Sequence, residues 1–510
     1  MSKRHIQTAV LVAAGLLTGC TVGPDFLKPK AEIPPGWTPM AMKQAEKAAS
    51  SVSATTPETD AWWESFHDPA LTSLIARAAA ANLDLREAAL RIAEARAQRE
   101  ITAADQWPSL SGNGSYANQR ISTTTAQGSI FGSFGKLGGG GLPISIPSFP
   151  NPYNQYQIGF DASWEPDLFG TVRRSIEAAQ ADTQASEEDA HDALVSLEGE
   201  VARAYIDLRS AQAQLAITNR NLATERDVFD LARQRRSAGL ATDLDATNAA
   251  AQVQQTESLL PPLENAASSD INQLSQLLAR EPGALQDELR TAKPVPPIPA
   301  EVRIGLPGDL VRRRPDIRAA EARLHAATAR VGVAVAALFP NVTFNANFGT
   351  QAERFPDLAL WASRFYSIGP SLEVPIFEGG RLRATVRLAD LKEKEAALDY
   401  ARAVLNALHE VENALVAYES EQIRRAALAA TLAKNREALA LARQRYRSGV
   451  TAFLDVLDAE RTAQQTELSL AVSTAAISID LVALYKALGG GWAEGQDADT
   501  HQATSIDPKK

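Results

Sequence analysis

Apolar residues recur at spacings of three and four from Asp68 to Gln106, at Leu71, Leu74, Ile75, Ala78, Leu85, Ala88, Ala89, Ile92 and Ala95, and predict one helix there. Asp68-Pro69 supplies an N-cap and a first-turn proline. Helix-forming composition continues, without proline, through two far longer stretches, 167–260 and 376–506. Glycine in the first is confined to Gly170, Gly199 and Gly239, and between Arg381 and Leu488 only Gly449 occurs. Each stretch therefore reads as two helices meeting at a glycine turn. A helix from Val172 to Ser237 would rise roughly 100 Å at ~1.5 Å per residue, a length that implies coiled-coil packing. Pro261-Pro262 is expected to break or kink the return helix of the first hairpin.

Between the helices the period changes to two. Tyr156, Ile158, Phe160, Ala162 and Trp164 alternate with Gln155, Gln157, Gly159, Asp161 and Ser163; Val342, Phe344, Ala346 and Phe348 alternate with Thr343, Asn345, Asn347 and Gly349. Tyr366, Ile368, Leu372 and Val374 alternate with Ser367, Gly369, Ser371 and Glu373. With a weaker run after Leu110, four strands are expected, at 110–120, 153–165, 341–350 and 364–376. The run Gly128–Pro152 reads as a long exposed loop. Apolar-out, polar-in alternation marks outer-membrane barrel strands, and a half-buried soluble sheet gives the same signal. Four strands cannot close a barrel, since bacterial barrels begin at about eight, so the barrel reading requires an oligomer that pools strands.

The chain is a tandem duplication. Leu231-Ala-Arg-Gln-Arg235 returns as Leu441-Ala-Arg-Gln-Arg445, Gly239 as Gly449, and Leu244-Asp245 as Leu454-Asp455, all 210 residues later. Asp84, Arg86, Arg91 and Pro108 return 232 residues later as Asp316, Arg318, Arg323 and Pro340. The expected organisation is a signal at 1–19, an extended leader at 20–67, a first repeat at 68–281 with hairpin 171–281, and a Pro-rich extended linker at 282–307. A second repeat at 308–490, with hairpin 379–488, and a tail at 491–510 complete it.

Lys3, Arg4 and His5 precede an apolar run from Ala9 to Leu17 that is too short to remain as a membrane anchor, the pattern of an export signal. Leu17-Thr18-Gly19-Cys20 resembles a lipobox, which makes Cys20 the expected lipidation site; it is the only cysteine, so no disulfide within the chain is possible. No later run approaches 18 consecutive apolar residues, and a membrane crossing is then expected to be a closed barrel. The net charge of −10 argues against nucleic acid as a partner. The six histidines are scattered, with no HExxH, and Gly138 to Gly141 lacks a following GK[ST], so no enzyme, metal or cofactor beyond the covalent lipid is expected. Arg312-Arg313-Arg314 reads as a solvated patch or an N-terminal helical one.

Cys20-Thr-Val-Gly-Pro-Asp25, Trp62-Trp63-Glu-Ser-Phe66-His-Asp68-Pro69, Gly305-Leu306-Pro307-Gly-Asp309-Leu310 and Arg313-Arg314-Pro315-Asp316-Ile317 together resemble the TolC-like outer membrane efflux factors, in their lipoprotein (NodT-type) branch. Pro375-Ile376-Phe377-Glu-Gly379-Gly380 and Tyr446-Arg-Ser-Gly449 with Leu454-Asp455-Val-Leu-Asp458-Ala459 extend the resemblance over the mature chain. It implies a mainly α fold with a small β-barrel: a homotrimer whose hairpins form an α-barrel tunnel and whose strands make a twelve-stranded barrel in the outer membrane. It also implies an exit duct for small molecules, served by a periplasmic adaptor and an inner-membrane RND-type pump. By motif match, Asp455, Asp458 and Tyr446 fall at the periplasmic entrance, and the repeat adds Asp245. Three copies of each carboxylate around one axis would favour cations; an ordinary solvated or capping role near the turn competes with that reading. Arg236, Ser237, Gly239 and Leu240, with Arg447, Ser448, Gly449, Val450 and Thr451, are the candidate adaptor-docking residues. Some relatives carry a basic residue where Thr451 stands, so a salt-bridged lock is not expected from this tip. Two rivals remain open: a duct for one-step protein secretion, and a lipid-anchored coiled-coil scaffold without a pore.

Overall fold

The computed structural model describes residues 21–30, 32–39, 42, 49–55, 60–122, 124–125 and 151–492. The signal, Cys20, most of the Gly128–Pro152 run and all of the tail beyond Trp492 lie outside them. In chain order the elements are β1 (Ser51–Ser53), a 3₁₀ turn (Trp62–Phe66), α1 (Pro69–Ala81), α2 (Leu83–Ala104), β2 (Ser109–Gln119), β3 (Tyr153–Trp164), α3 (Thr171–Ser237), α4 (Asp243–Glu257) and α5 (Leu260–Leu277). The second half continues with α6 (Gln286–Leu289), β4 (Glu301–Arg303), α7 (Pro307–Arg313), α8 (Pro315–Ala336), β5 (Asn341–Ala352), β6 (Arg364–Glu373), α9 (Arg381–Arg447) and α10 (Phe453–Ala487). The duplication is visible in the bounds: α2 and α8 are each 22 residues long and 232 apart, and α3 and α9 are each 67 residues long and 210 apart.

The chain forms two compact units. One takes residues up to 27, 96–180 and 325–394 and holds the four strands, antiparallel in the order β2-β3-β5-β6. Both hairpins of this sheet keep one register under the repeat offsets: Gly112 faces Phe160, and Phe344 faces Pro370. In the same unit the leader is fastened to the helices. Asp25 pairs with Arg174, which also holds Glu177, and Phe26 stacks on His325 with centroids 4.5 Å apart. A Cβ on Gly23 would lie 2.5 Å from the Gly332 Cα, so this close approach needs glycine at 23, and a Cβ on Gly332 would meet the Arg174 side chain at 2.9 Å.

The other unit takes 28–95, 181–324 and 395–510. Its core gathers Phe66, Leu71, Leu74 and Ile75 with Val201, Tyr205 and Ile206 of α3, Leu274 of α5, Val302 and Ile304 around β4, Val411 and Leu415 of α9, and Leu481 and Leu484 of α10. Each fully buried leucine there contributes about 1.5–3 kcal/mol by removal from water. Trp62 stacks on Tyr485 at 5.4 Å. Helix α10 is long and apolar enough to cross a membrane by composition, but its Leu481, Val482 and Leu484 lie in this protein core.

Several expectations are corrected. The helix over 68–106 is two helices, because Asn82 leaves helical geometry and its Oδ1 accepts from the backbone N–H of Asp84 and Leu85, at 2.8 and 3.1 Å, starting a new helix. The break expected at Pro261-Pro262, by contrast, is present: the return helix of the first hairpin ends at Glu257 and restarts at Leu260, with both prolines in the first turn of α5, where a missing N–H costs nothing. Leader and linker are not merely extended: β1 and β4 pair in parallel through Val52 and Val302. Gly491 and Trp492 belong to the packed unit, with the Trp492 ring stacked on His191 at 4.7 Å. Finally, Arg314 is not solvated; it is buried, paired with Asp316 and Glu410, and donates to the carbonyl of Ala487.

Candidate functional site

The two hairpin tips are built alike. At the first, the Leu240 N–H bonds the Arg235 carbonyl at 2.8 Å and the Gly239 N–H bonds Arg236 at 2.9 Å; at the second, Val450 bonds Arg445 and Gly449 bonds Tyr446, each at 3.0 Å. This double closure needs a left-handed residue, and Gly239 and Gly449 both sit at φ +72°. The apolar residue that follows usually folds back on its own helix. Here Leu240 and Val450 instead stay 74% and 66% exposed, as do Leu244 and Leu454 four residues on.

Beneath the turns the hairpins join. Tyr446 packs on Phe453 with centroids 5.6 Å apart, the Arg235 guanidinium lies 4.9 Å from the Tyr446 ring centroid, and Ala232, Ala249 and Leu457 close a small core. Asp245 forms a capping box with Thr242: its carboxylate accepts the Thr242 N–H at 3.0 Å while Thr242 Oγ1 accepts the Asp245 N–H at 3.2 Å. Asp455, the repeat counterpart of Asp245, accepts from the hydroxyl of Thr451. Asp458 is exposed and its backbone carbonyl accepts from Thr462 at 2.9 Å. No hydrogen bond joins Asp245 to Asp455 or Asp458 among the described residues. Arg236 pairs with Asp243; Ser237 and Ser448 hydroxyls donate to carbonyls one turn back, Gln234 and Gln444; Arg447 is exposed.

Sequence reading missed Glu460 and Arg443, one to two turns below the tip. Glu460 is 2% exposed, burial raises its carboxyl above the usual range, and Arg443, 2.9 Å away, opposes that shift. A hint was available: Glu460 lies five residues beyond Asp455 on the helical face that carries Phe453, Val456 and Leu457, all buried. Among the described residues no group of three or more His, Cys, Asp or Glu is arranged to hold a metal.

In the strand unit, the exposed large apolar side chains Leu110, Tyr116, Ile158, Phe160, Phe344, Phe348, Tyr366, Ile368 and Leu372 occupy even positions. The strand register pairs even residues only with even ones, so all project from one face of the sheet. The odd face is polar: Asn113 donates to Asp161, and Ser163 donates to Asn345 at 3.2 Å. A contiguous apolar face of this size suits lipid and not water. Among the described residues, the outer strands β2 and β6 carry no further neighbour.

Comparison with known proteins agrees with these features. The family described as "Outer membrane efflux protein" matches residues 74–280 and 306–490. Outer membrane protein OprJ of Pseudomonas aeruginosa is 33% identical over 98% of this chain and 99% of its own. Nodulation protein T of Rhizobium leguminosarum bv. trifolii is 31% identical over 94% and 96%. The solved outer-membrane channel OprN superposes with a TM-score of 0.81 at 34% identity, covering 93% of this chain and all of that one. The chain belongs to the outer membrane efflux protein family and is an efflux channel of the outer membrane, with the helix-rich α/β-barrel fold of those channels.

Proposed function

We propose that three copies of this chain pool their sheets into one twelve-stranded barrel, are fastened to the outer membrane by a lipid on Cys20, and form the exit duct of a tripartite pump. The observation that supports this most is the sheet itself: one apolar exposed face, one polar face and, among the described residues, two open edges and too few strands to close alone. A periplasmic adaptor would grip the exposed apolar tip residues Leu240 and Val450, and an inner-membrane RND-type pump would supply the energy. The cargo is small molecules of the kind that relatives' names record, such as the toluene efflux pump outer membrane protein TtgC of Pseudomonas putida. Asp455 and Asp458, three copies each, would set a cation-favouring entrance.

The test is the mass of the native particle in mild detergent by light scattering, with detergent subtracted. About three chains per particle are expected. A monomer or dimer that stays soluble without detergent after removal of the lipid would overturn the reading in favour of a scaffold.

A further inference from the structure

Below their tips the two hairpins of the chain meet along one stripe. At the tip end it is apolar, with Ala232 and Ala249 of the first hairpin against Phe453 and Leu457 of the second; further down, Arg220 of α3 crosses to Glu467 of α10 at 2.6 Å. Between these two contacts the stripe holds two acids where a packed junction would be expected to hold apolar side chains. Glu225 of α3 is 3% exposed and Glu460 of α10 is 2% exposed. Each is held by its own hairpin: Gln252 of α4 donates to Glu225 at 3.1 Å, and Arg443 of α9 donates to Glu460 at 2.9 Å. The other oxygen of Glu225, Oε2, is buried with no hydrogen-bond partner among the described residues. Burial raises the Glu460 carboxyl, Arg443 opposes that rise, and Glu225 adds to it from across the junction.

The helices do not require acids at these places. Under the 210-residue repeat Glu225 corresponds to Asn435 and Glu460 to Ala250, both neutral, and Asn435 donates to Thr466 at 2.9 Å. Each hairpin thus carries an acid where the other repeat carries a neutral residue, and both acids fall at one junction. The remaining charges on the four helices are engaged elsewhere or exposed. Arg220 and Arg436 both pair with Glu467, and Arg226 pairs with Glu257. Asp227, Asp458 and Arg461 are exposed. Among the described residues, Arg443 is the one cation acting on Glu460, against two buried carboxyls.

We propose that Glu225 and Glu460 form a proton-operated latch between the hairpins: one proton held by the pair keeps the hairpins packed, and its loss to water leaves a second negative charge in the junction and frees the second tip from the first. The direction follows from burial. A carboxyl that is neutral in the packed form and ionised in the separated one gives full packing at low pH, and packing weakens as pH rises, by up to about tenfold per pH unit. All four helices belong to one chain and one compact unit, so the latch does not depend on how many chains make the particle.

Amide exchange read by mass spectrometry on the full-length lipidated protein in detergent tests the latch. Corrected for the intrinsic rate at each pH, exchange over residues 225–240 and 450–460 should be roughly tenfold faster at pH 8 than at pH 6. Glu460→Gln and Glu225→Gln each keep the shape of the side chain and remove one charge. Either should cut the difference between the two pH values to less than about twofold. Asp455→Ala with Asp458→Ala leaves the pair intact and should retain the full difference. Exchange at the tips of the natural chain that is the same at both pH values overturns the latch, whatever the variants do. So does a pH dependence that survives both glutamine substitutions, because another group would then be titrating.

Discussion

Ala279 holds the backbone conformation that Gly489 holds 210 residues later, with φ +50° against +70°, and each ends its helix with the same pair of bonds. Arg280 N–H reaches Ser275 and Ala279 N–H reaches Gln276 in one repeat; Gly490 reaches Tyr485 and Gly489 reaches Lys486 in the other. A side chain in that conformation costs about 1–2 kcal/mol, partly offset by the lower chain entropy lost compared with glycine. Ala279→Gly is therefore expected to stabilise the protein by up to about 1 kcal/mol. Gly489→Ala should destabilise by more, because a Cβ there would lie 3.0 Å from the Arg314 Cγ. Thermal unfolding in detergent measures both; a lower midpoint for Ala279→Gly would refute the strain.

Glu198 is 3% exposed, and its Oε2 has no hydrogen-bond partner among the described residues. Burial pushes its carboxyl up to about 9. Below the unfolded value, near 4.5, both states are protonated and its contribution to stability is complete. As pH rises from there toward 9 the unfolded chain ionises first, so stability is lost progressively. Glu198→Gln escapes that loss and should be more stable than the natural chain by on the order of 3 kcal/mol at pH 7, with little difference near pH 4.5. Melting both proteins at pH 5 and pH 8 checks it, and a gap that does not widen with pH would count against a buried neutral acid.

What the sequence shows plainly here is what periodicity and repetition encode. The strand faces were legible because Ile158, Phe160, Phe344 and Phe348 alternate with polar neighbours, and the tips because Gly239 and Gly449 interrupt long glycine-poor runs. What stayed hidden depends on contacts between distant segments. Val52 and Val302 look like parts of two coil regions until they pair, and Arg314 resembles its solvated neighbours until Asp316, Glu410 and the Ala487 carbonyl converge on it. Asn82 was missed because one side chain capping a new helix leaves the apolar spacing almost undisturbed. At the tip, the motif pointed to Asp455, but its bond from Thr451 and the buried pair of Glu460 with Arg443 required coordinates.

Asp455→Ala with Asp458→Ala should raise single-channel conductance or loosen cation preference in planar bilayers, since the proposed trimer would lose three copies of each exposed carboxylate from its entrance. Unchanged currents would leave these residues as ordinary helix-start acids. Asp245→Ala is a useful companion, because it breaks a capping box worth about 1 kcal/mol without removing Asp455 or Asp458. It should speed amide exchange in the first turn of α4 more than it changes current.

Gly449→Pro removes the N–H that reaches the Tyr446 carbonyl and forbids φ +72°. Efflux in cells should be abolished while the amount of protein in the outer membrane stays the same. Normal resistance in that variant would remove the second tip from adaptor docking.

The equal lengths of α3 and α9, 67 residues each, carry one more consequence. A helix advances about 1.5 Å and turns about 100° with each residue, so it measures both distance and phase. A single residue inserted in α3 but not in α9 would advance the first tip by about 1.5 Å and swing Leu240 by about 100° around the helix axis, with no matching change at Val450. Substitutions along these rods can be absorbed one contact at a time, whereas a change in their count is felt at the far end all at once. In this chain the number of residues between strand and turn is itself a functional quantity.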